Sequence, residues 1–310
     1  RGAFTVRTLA HLVSVAGVVD RQRYFEGNPS ATESDFQDLL RELWATRFSR
    51  KPLSQSESVK IAFVGVWDTV DAVGIPFEEI SELANMHYQF KFPDHELPEN
   101  VLCARQALSI DDQRQTFLPK VWVEGAGETR IRQVWFPGVH SNVGGGYPKQ
   151  GMSLEALDWM MSEAEDAGLR FVETDRAAIA DRRNVNDKLY DSRAGLGSFY
   201  RFAPRDIAGL CAEAGIRQPL LHESLFDRLD LRPEGYAPPN IPSDFRIETT
   251  LRPGSGKRLE RPEPRYLPTR GIPNLGGSTR ATVKAIQSGQ NAMILLALMV
   301  VATAIGLGAW

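Results

Sequence analysis

Apolar positions recur along the chain with two periods. A near-helical stripe runs through RGAFTVRTLAHLVSVAGVV at Phe4, Leu9, Leu12, Val13 and Ala16 and stops at Gly17, where β-branched residues follow. The same spacing places Phe36, Leu39, Leu40, Leu43 and Trp44 on one face of a helix over residues 34–48. It does so again for Leu154, Leu157, Met160, Met161 and Ala164 over 153–167, ahead of Gly168, a helix stop. Between these helices, residues 61–67 (IAFVGVW) are a continuous apolar run of strand length, the pattern of a strand buried on both faces. A second strand, Ile131–Phe136 (IRQVWF), runs into Pro137-Gly138-Val139-His140 and then SNVGGGY. Residues 117–124 (FLPKVWVE), followed by Gly125-Ala126-Gly127-Glu128, are expected to pair with it as a hairpin. Strands alternating with helices predict an α/β domain with a doubly wound, mostly parallel sheet, extending to about residue 230.

Beyond that point the texture changes. Nine of the 19 prolines fall between Pro233 and Pro273, so residues 231–291 read as a Pro/Gly-rich linker or arm. Residues 292–310 (AMILLALMVVATAIGLGAW) are apolar or small throughout, and no charge occurs from Ala285 to Trp310. As a helix this segment would rise about 28 Å, close to the hydrocarbon thickness of a bilayer, which predicts a single-pass transmembrane helix with Trp310 at an interface. Arg261, Arg265, Arg270, Arg280 and Lys284 precede it, opposed in that stretch by Glu263, a bias that favours the cytoplasmic side for the preceding domain. At the other end, the helix that opens at Arg1 has no N-cap, so the start of its domain is expected upstream.

Composition narrows the function classes. The chain has 310 residues with 36 Lys+Arg against 39 Asp+Glu, and a net charge of −3 removes the main electrostatic reason to expect nucleic acid as a partner. Cys103 and Cys211 form neither a disulfide framework nor a metal-type pair and read as buried thiols of a reducing compartment.

In an open parallel sheet the active site lies outside the carboxyl ends of the strands. Two strands here end in an acid and a base: Asp68 directly after IAFVGVW, and His140 four residues after IRQVWF. Acyl transfer by a serine hydrolase needs such a pair: the imidazole takes the serine proton and the carboxylate orients and stabilises it. In α/β-hydrolases the chain order is serine, acid, histidine, with the serine on a strand-to-helix turn. That order puts the serine just before Arg1. Asp71 is an alternative acid and His222 a competing base; a metal site from Asp68, Asp71 and His140 is a further alternative. His11, His87 and His95 have no acid-bearing motif around them and read as surface or packing residues. Gly144-Gly145-Gly146 lacks the Lys-Ser/Thr of a phosphate loop and reads as a tight turn.

These segments resemble an α/β-hydrolase-like family that includes type VI secretion phospholipase effectors. RGAFTVRTLAHLV resembles the segment after the serine in its G-F-S-R-G-A nucleophile elbow, and IAFVGVWDTVDAVGIP its acid-bearing strand. ALSIDDQRQTFLPKVW resembles its Asp-Glu-Arg helix, VWFPGVHSNVGGGY its histidine loop, and LHESLFDR a downstream His-x-Ser motif. The resemblance covers residues 1 to about 230 in the family's order; the serine, its two preceding residues and the first half of the sheet have no counterpart here. It implies a partial catalytic domain over 1–230, followed by the arm (231–291) and the membrane helix (292–310). It further implies a serine-type lipase or phospholipase with Asp68 and His140 as catalytic acid and base, and the backbone N–H of Arg1 as an oxyanion donor. The expected partners are a lipid or acyl-ester substrate and a membrane, with no cofactor, no metal and no nucleic acid. The alternative is a non-catalytic, membrane-tethered interaction module that keeps the fold.

Overall fold

The computed structural model describes residues 2–46, 59–70, 95–231, 233–250 and 284–296, together with 299 and 303. Five strands form one parallel sheet in sequential order: β1 (Val64–Trp67), β2 (Ala104–Ser109), β3 (Ile131–Phe136), β4 (Leu220–His222) and β5 (Arg246–Glu248). Helices α1 (Gly2–Ala16), α2 (Arg21–Gly27) and α3 (Glu33–Thr46) precede the sheet. Between β3 and β4 come α4 (His140–Gly144), α5 (Gly151–Asp166), α6 (Glu173–Arg182) and α7 (Ile207–Glu213); α8 (Glu223–Leu231) joins β4 to the β5 segment. Helix α9 covers residues 284–296.

The period-2 alternation of strands sorts the core into two faces. Ala107, Val134 and Phe136 point to one face, where α5 covers them with Ala156, Trp159 and Met160. Leu108, Trp135 and Leu221 point to the other, beneath Ile207 and Cys211 of α7 and Leu225 and Phe226 of α8. On that second face, Ala10 of α1 packs with Val64, Val66, Ala104 and Ile131. Helix α5 approaches β1 so closely at Gly65 that a Cβ there would lie 2.8 Å from the Met160 sulfur.

Several expectations change. The strand expected over 61–67 pairs in the ladder from Val64, with Ile61 bridging to Val101. Residues 117–124 do not form a hairpin with β3. The side chain of Gln133 substitutes for that pairing, accepting from the backbone N–H of Trp122 (2.7 Å) and donating to its carbonyl (2.9 Å). The segment likened to an Asp-Glu-Arg helix is the end of β2 followed by a loop and a 3-10 turn at Gln115–Phe117. His222, the competing base, ends strand β4. The boundary expected at residue 230 falls inside the sheet, because β5 lies in the Pro-rich stretch and pairs with β4. Asn240 fastens the same stretch, its amide donating to the carbonyls of Ile110 (2.9 Å) and Arg205 (3.1 Å).

The expected membrane helix falls largely outside the described residues. Of its described part, 292–296 belong to α9 and 299 and 303 are helical, and no helix among the described residues is long and apolar enough to cross a membrane. Helix α9 is held by two glutamines. Gln290 is buried; its side chain accepts from the Phe202 N–H (2.8 Å) and donates to the carbonyls of Ser198 (3.0 Å) and Tyr200 (2.9 Å). Gln287 donates to the Phe202 carbonyl (2.9 Å).

Candidate functional site

The parallel sheet brings the loops after β1, β2 and β3 to one end of the molecule. Asp68 follows β1 directly and is buried, with φ +41, a left-handed conformation that costs a non-glycine residue energy and is held by its bonds. After β3, Gly138 adopts φ +118, where a side chain would collide with Asn142, and this turn delivers His140 to the first position of α4. The backbone N–H of His140 donates to Asp112 (3.1 Å).

The two side chains meet. His140 Nδ1 lies 2.6 Å from Asp68 Oδ2. Burial pushes the Asp68 carboxyl up, but the charge of Arg205 and the bonds from Arg205 and His140 outweigh it and hold the group well below the ordinary carboxylate range. An ionised Asp68 accepts, so Nδ1 carries the proton and Nε2 is left as a basic nitrogen. Nε2 has no hydrogen-bond partner among the described residues. The Phe117 ring meets the imidazole edge-on, with centroids 5.2 Å apart.

Asp68 has further partners that sequence reasoning missed. Ser109 donates from its backbone N–H (2.9 Å) and its hydroxyl (3.2 Å). Arg205, 1% exposed, donates to both carboxylate oxygens, at 2.6 and 2.8 Å, as a fork. Next along the β2 loop, Asp112 takes a bidentate bond from Arg114 (3.0 and 2.7 Å), whose guanidinium lies over the Phe117 ring. Burial raises the Asp111 carboxyl, which accepts from the Gly138 N–H (2.6 Å) and the Tyr236 hydroxyl (2.9 Å). Asp111 and Tyr236 line an open pocket of about 560 Å³ that borders Val139, the neighbour of His140.

The alternatives separate on geometry. His222 is fully buried, stacked on Phe136, with its ring nitrogens against the hydroxyls of Ser224 (2.9 Å) and Thr250 (3.1 Å). It faces hydroxyl partners, whereas His140 faces a carboxylate. His95 sits 3.3 Å from the Val121 carbonyl, and the positive φ of Gly145 and Gly146 ends α4 in a turn. Arg1, Asp71 and His87 lie outside the described residues.

Helix α1 points its first turns at this end of the sheet. Arg7 donates to the Lys120 carbonyl (2.5 Å), and the Lys120 N–H donates to the carbonyl of Thr69 (2.7 Å), the neighbour of Asp68. Ala10, further along, packs at Val64 and Ala104, where strands begin. The N-terminal end of α1 therefore faces the carboxyl ends of the strands.

No curated protein and no solved structure matches the chain. The model of a family described as T6SS, phospholipase effector Tle1-like, catalytic domain, matches residues 1–163, a span that contains Asp68, Asp112 and His140 and stops short of Arg205. With more than half of its 310 residues matched, the chain belongs to the Tle1-like phospholipase effectors of type VI secretion.

Proposed function

We propose that this chain carries the acid and base of a serine-type ester hydrolase that cleaves acyl esters of phospholipids. The observation that carries the reading is the 2.6 Å contact between His140 Nδ1 and a buried, ionised Asp68, which leaves Nε2 free to take a proton. In this mechanism a serine on the turn leading into α1 attacks the acyl carbonyl. His140 accepts its proton and passes it to the leaving alcohol, while Asp68 holds the imidazole and offsets its charge. The N–H of the residue after the nucleophile, assigned to Arg1, donates to the oxyanion.

The lipid substrate fits the family and the charge-free apolar segment at 285–310. We assign residues 292–310 to a bilayer, with the domain on the cytoplasmic side. Resistance of the intact protein to alkaline carbonate extraction is the expected result; release by carbonate removes the spanning helix.

The catalytic test uses the intact protein and a phospholipid ester. His140→Ala and Asp68→Asn each lower kcat by roughly 10⁴-fold, while His222→Ala, if folded, retains most turnover. Turnover that survives both His140→Ala and Asp68→Asn in folded protein reassigns the acid and base, whereas a folded parent without ester turnover returns the domain to the non-catalytic module.

A further inference from the structure

Arg205 lies on the loop before α7, 137 positions from Asp68 in sequence and beyond the matched family domain. Its guanidinium reaches three segments of the site at once. One nitrogen donates to Asp68 Oδ1 (2.6 Å) and the Ser109 carbonyl (2.5 Å); the other donates to Asp68 Oδ2 (2.8 Å) and the Phe117 carbonyl (2.7 Å). Asp68 Oδ2 is also the atom that meets His140. The arginine thus fixes the plane of the carboxylate, the end of β2, and the turn whose aromatic ring borders the imidazole.

We propose that Arg205 is the positioning residue of the Asp68–His140 pair, setting both the orientation of the carboxylate and how strongly it holds the imidazolium. The proposal rests on the hydrolase reading for its kinetic arm alone. A carboxylate shared between a guanidinium and an imidazole gives each less than it would give one partner. The fork therefore costs the imidazolium part of its stabilisation, and it fixes the direction in which Nε2 points. Among the described residues, the charged and titratable groups around Asp68 are Arg205 and His140 in contact, and Asp111, Asp112 and Arg114 on the β2 loop. Asp112 is neutralised by Arg114 and bonded to the His140 backbone, so among the described residues Arg205 is the cation that faces Asp68 itself.

The test follows the His140 ring through pH by NMR in the intact protein, its resonances assigned by their loss in His140→Gln, alongside steady-state kinetics. In Arg205→Gln the midpoint of the His140 titration rises by at least about one pH unit, because Asp68 no longer shares its charge with a guanidinium. Arg205→Lys keeps the charge and the parent midpoint but loses the fork, and lowers kcat at least tenfold with KM little changed. In an Asp68→Asn background, Arg205→Gln moves the midpoint by less than in the parent, since the part of its effect that passes through Asp68 is gone. A parent-like midpoint in folded Arg205→Gln overturns the proposal, as does an equal shift with and without Asp68. Where Arg205→Gln does not fold, parent-like kcat in Arg205→Lys overturns it. A parent protein without esterase activity leaves the titration arm intact, so failure of the hydrolase reading is told apart from failure of this one.

Discussion

A buried carboxylate is costly unless a cation reaches it, and α5 buries three acids. Glu163 is bonded by Arg105 and Arg132, Asp158 by Arg176, and Glu155 by Arg183 at 3.1 Å. Arg183 is 38% exposed in its side chain, so its charge is partly spent on water, and burial pushes Glu155 up to about 7 from 4.5 despite it. A carboxyl that binds its proton more tightly when folded adds stability that is complete below pH 4.5 and disappears as the pH climbs through about 7. Glu155→Gln removes that dependence. In urea titrations between pH 4.5 and 8, the parent loses up to about 3 kcal/mol more stability than Glu155→Gln. Asp111 and Glu124, raised by burial as well, titrate in both proteins and drop out of the difference. Parallel curves for the two proteins would mean that Glu155 stays ionised. The same physics explains why Arg205 escaped the sequence reading while Asp68 and His140 did not. Each of the latter follows an apolar strand, whereas Arg205 sits in a loop with no periodic pattern and has meaning only through a partner 137 positions away.

At the level of elements, strands β1 and β3 are legible as apolar runs, but β2 is not. Its sequence, ARQALS, places Arg105 and Gln106 in the middle of a fully buried strand. Burial is possible because Arg105 pairs with Glu163 on one face, and on the other Gln106 donates to Gln133 (2.9 Å) and to the Lys120 carbonyl (3.1 Å). Gln133 in turn satisfies both backbone groups of Trp122, which is how residues 117–124 cross the sheet face without joining it as a strand. Hydropathy cannot distinguish such a satisfied amide network from a loop, and it reads the apolar stretch 117–124 as a strand. Gln133→Leu tests the network, since an isosteric apolar side chain leaves the Trp122 N–H and carbonyl and the Gln106 amide buried without this partner. A loss of about 2–4 kcal/mol in chemical denaturation is expected from several orphaned buried groups; a loss below about 1 kcal/mol would show that the crossing segment is held by packing alone. The short β5 was hidden for a different reason: the prolines around it mask three paired residues at a sheet edge.

Across the whole molecule, one parallel sheet with sequential strand order sends every strand-to-helix loop to the same end, which is why two residues 72 positions apart can be paired in the sequence from topology alone. What topology did not indicate is the tie between that end and the C-terminal helix. The segment 198–202 touches both: the Tyr200 ring packs on Phe117, which borders His140, while its backbone is clasped by Gln287 and Gln290 of α9. A glutamine that accepts one bond from this loop and donates two to it replaces water on its backbone groups, and Gln290 is itself buried. In Gln290→Leu the Phe202 N–H loses its acceptor, and local opening of 198–202 becomes easier by about the 1–3 kcal/mol of an orphaned buried group. Hydrogen exchange at Phe202 then speeds by roughly ten- to hundredfold, while amides of β3 such as Val134 keep their parent rates. Arg114 and Gln115 still hold the other side of the segment through Phe202 and Arg201, so the response is local opening and not detachment. Unchanged exchange at Phe202 would mean that α9 rests on the domain without restraining it; exchange raised equally in β3 would mean that the substitution weakens the fold as a whole.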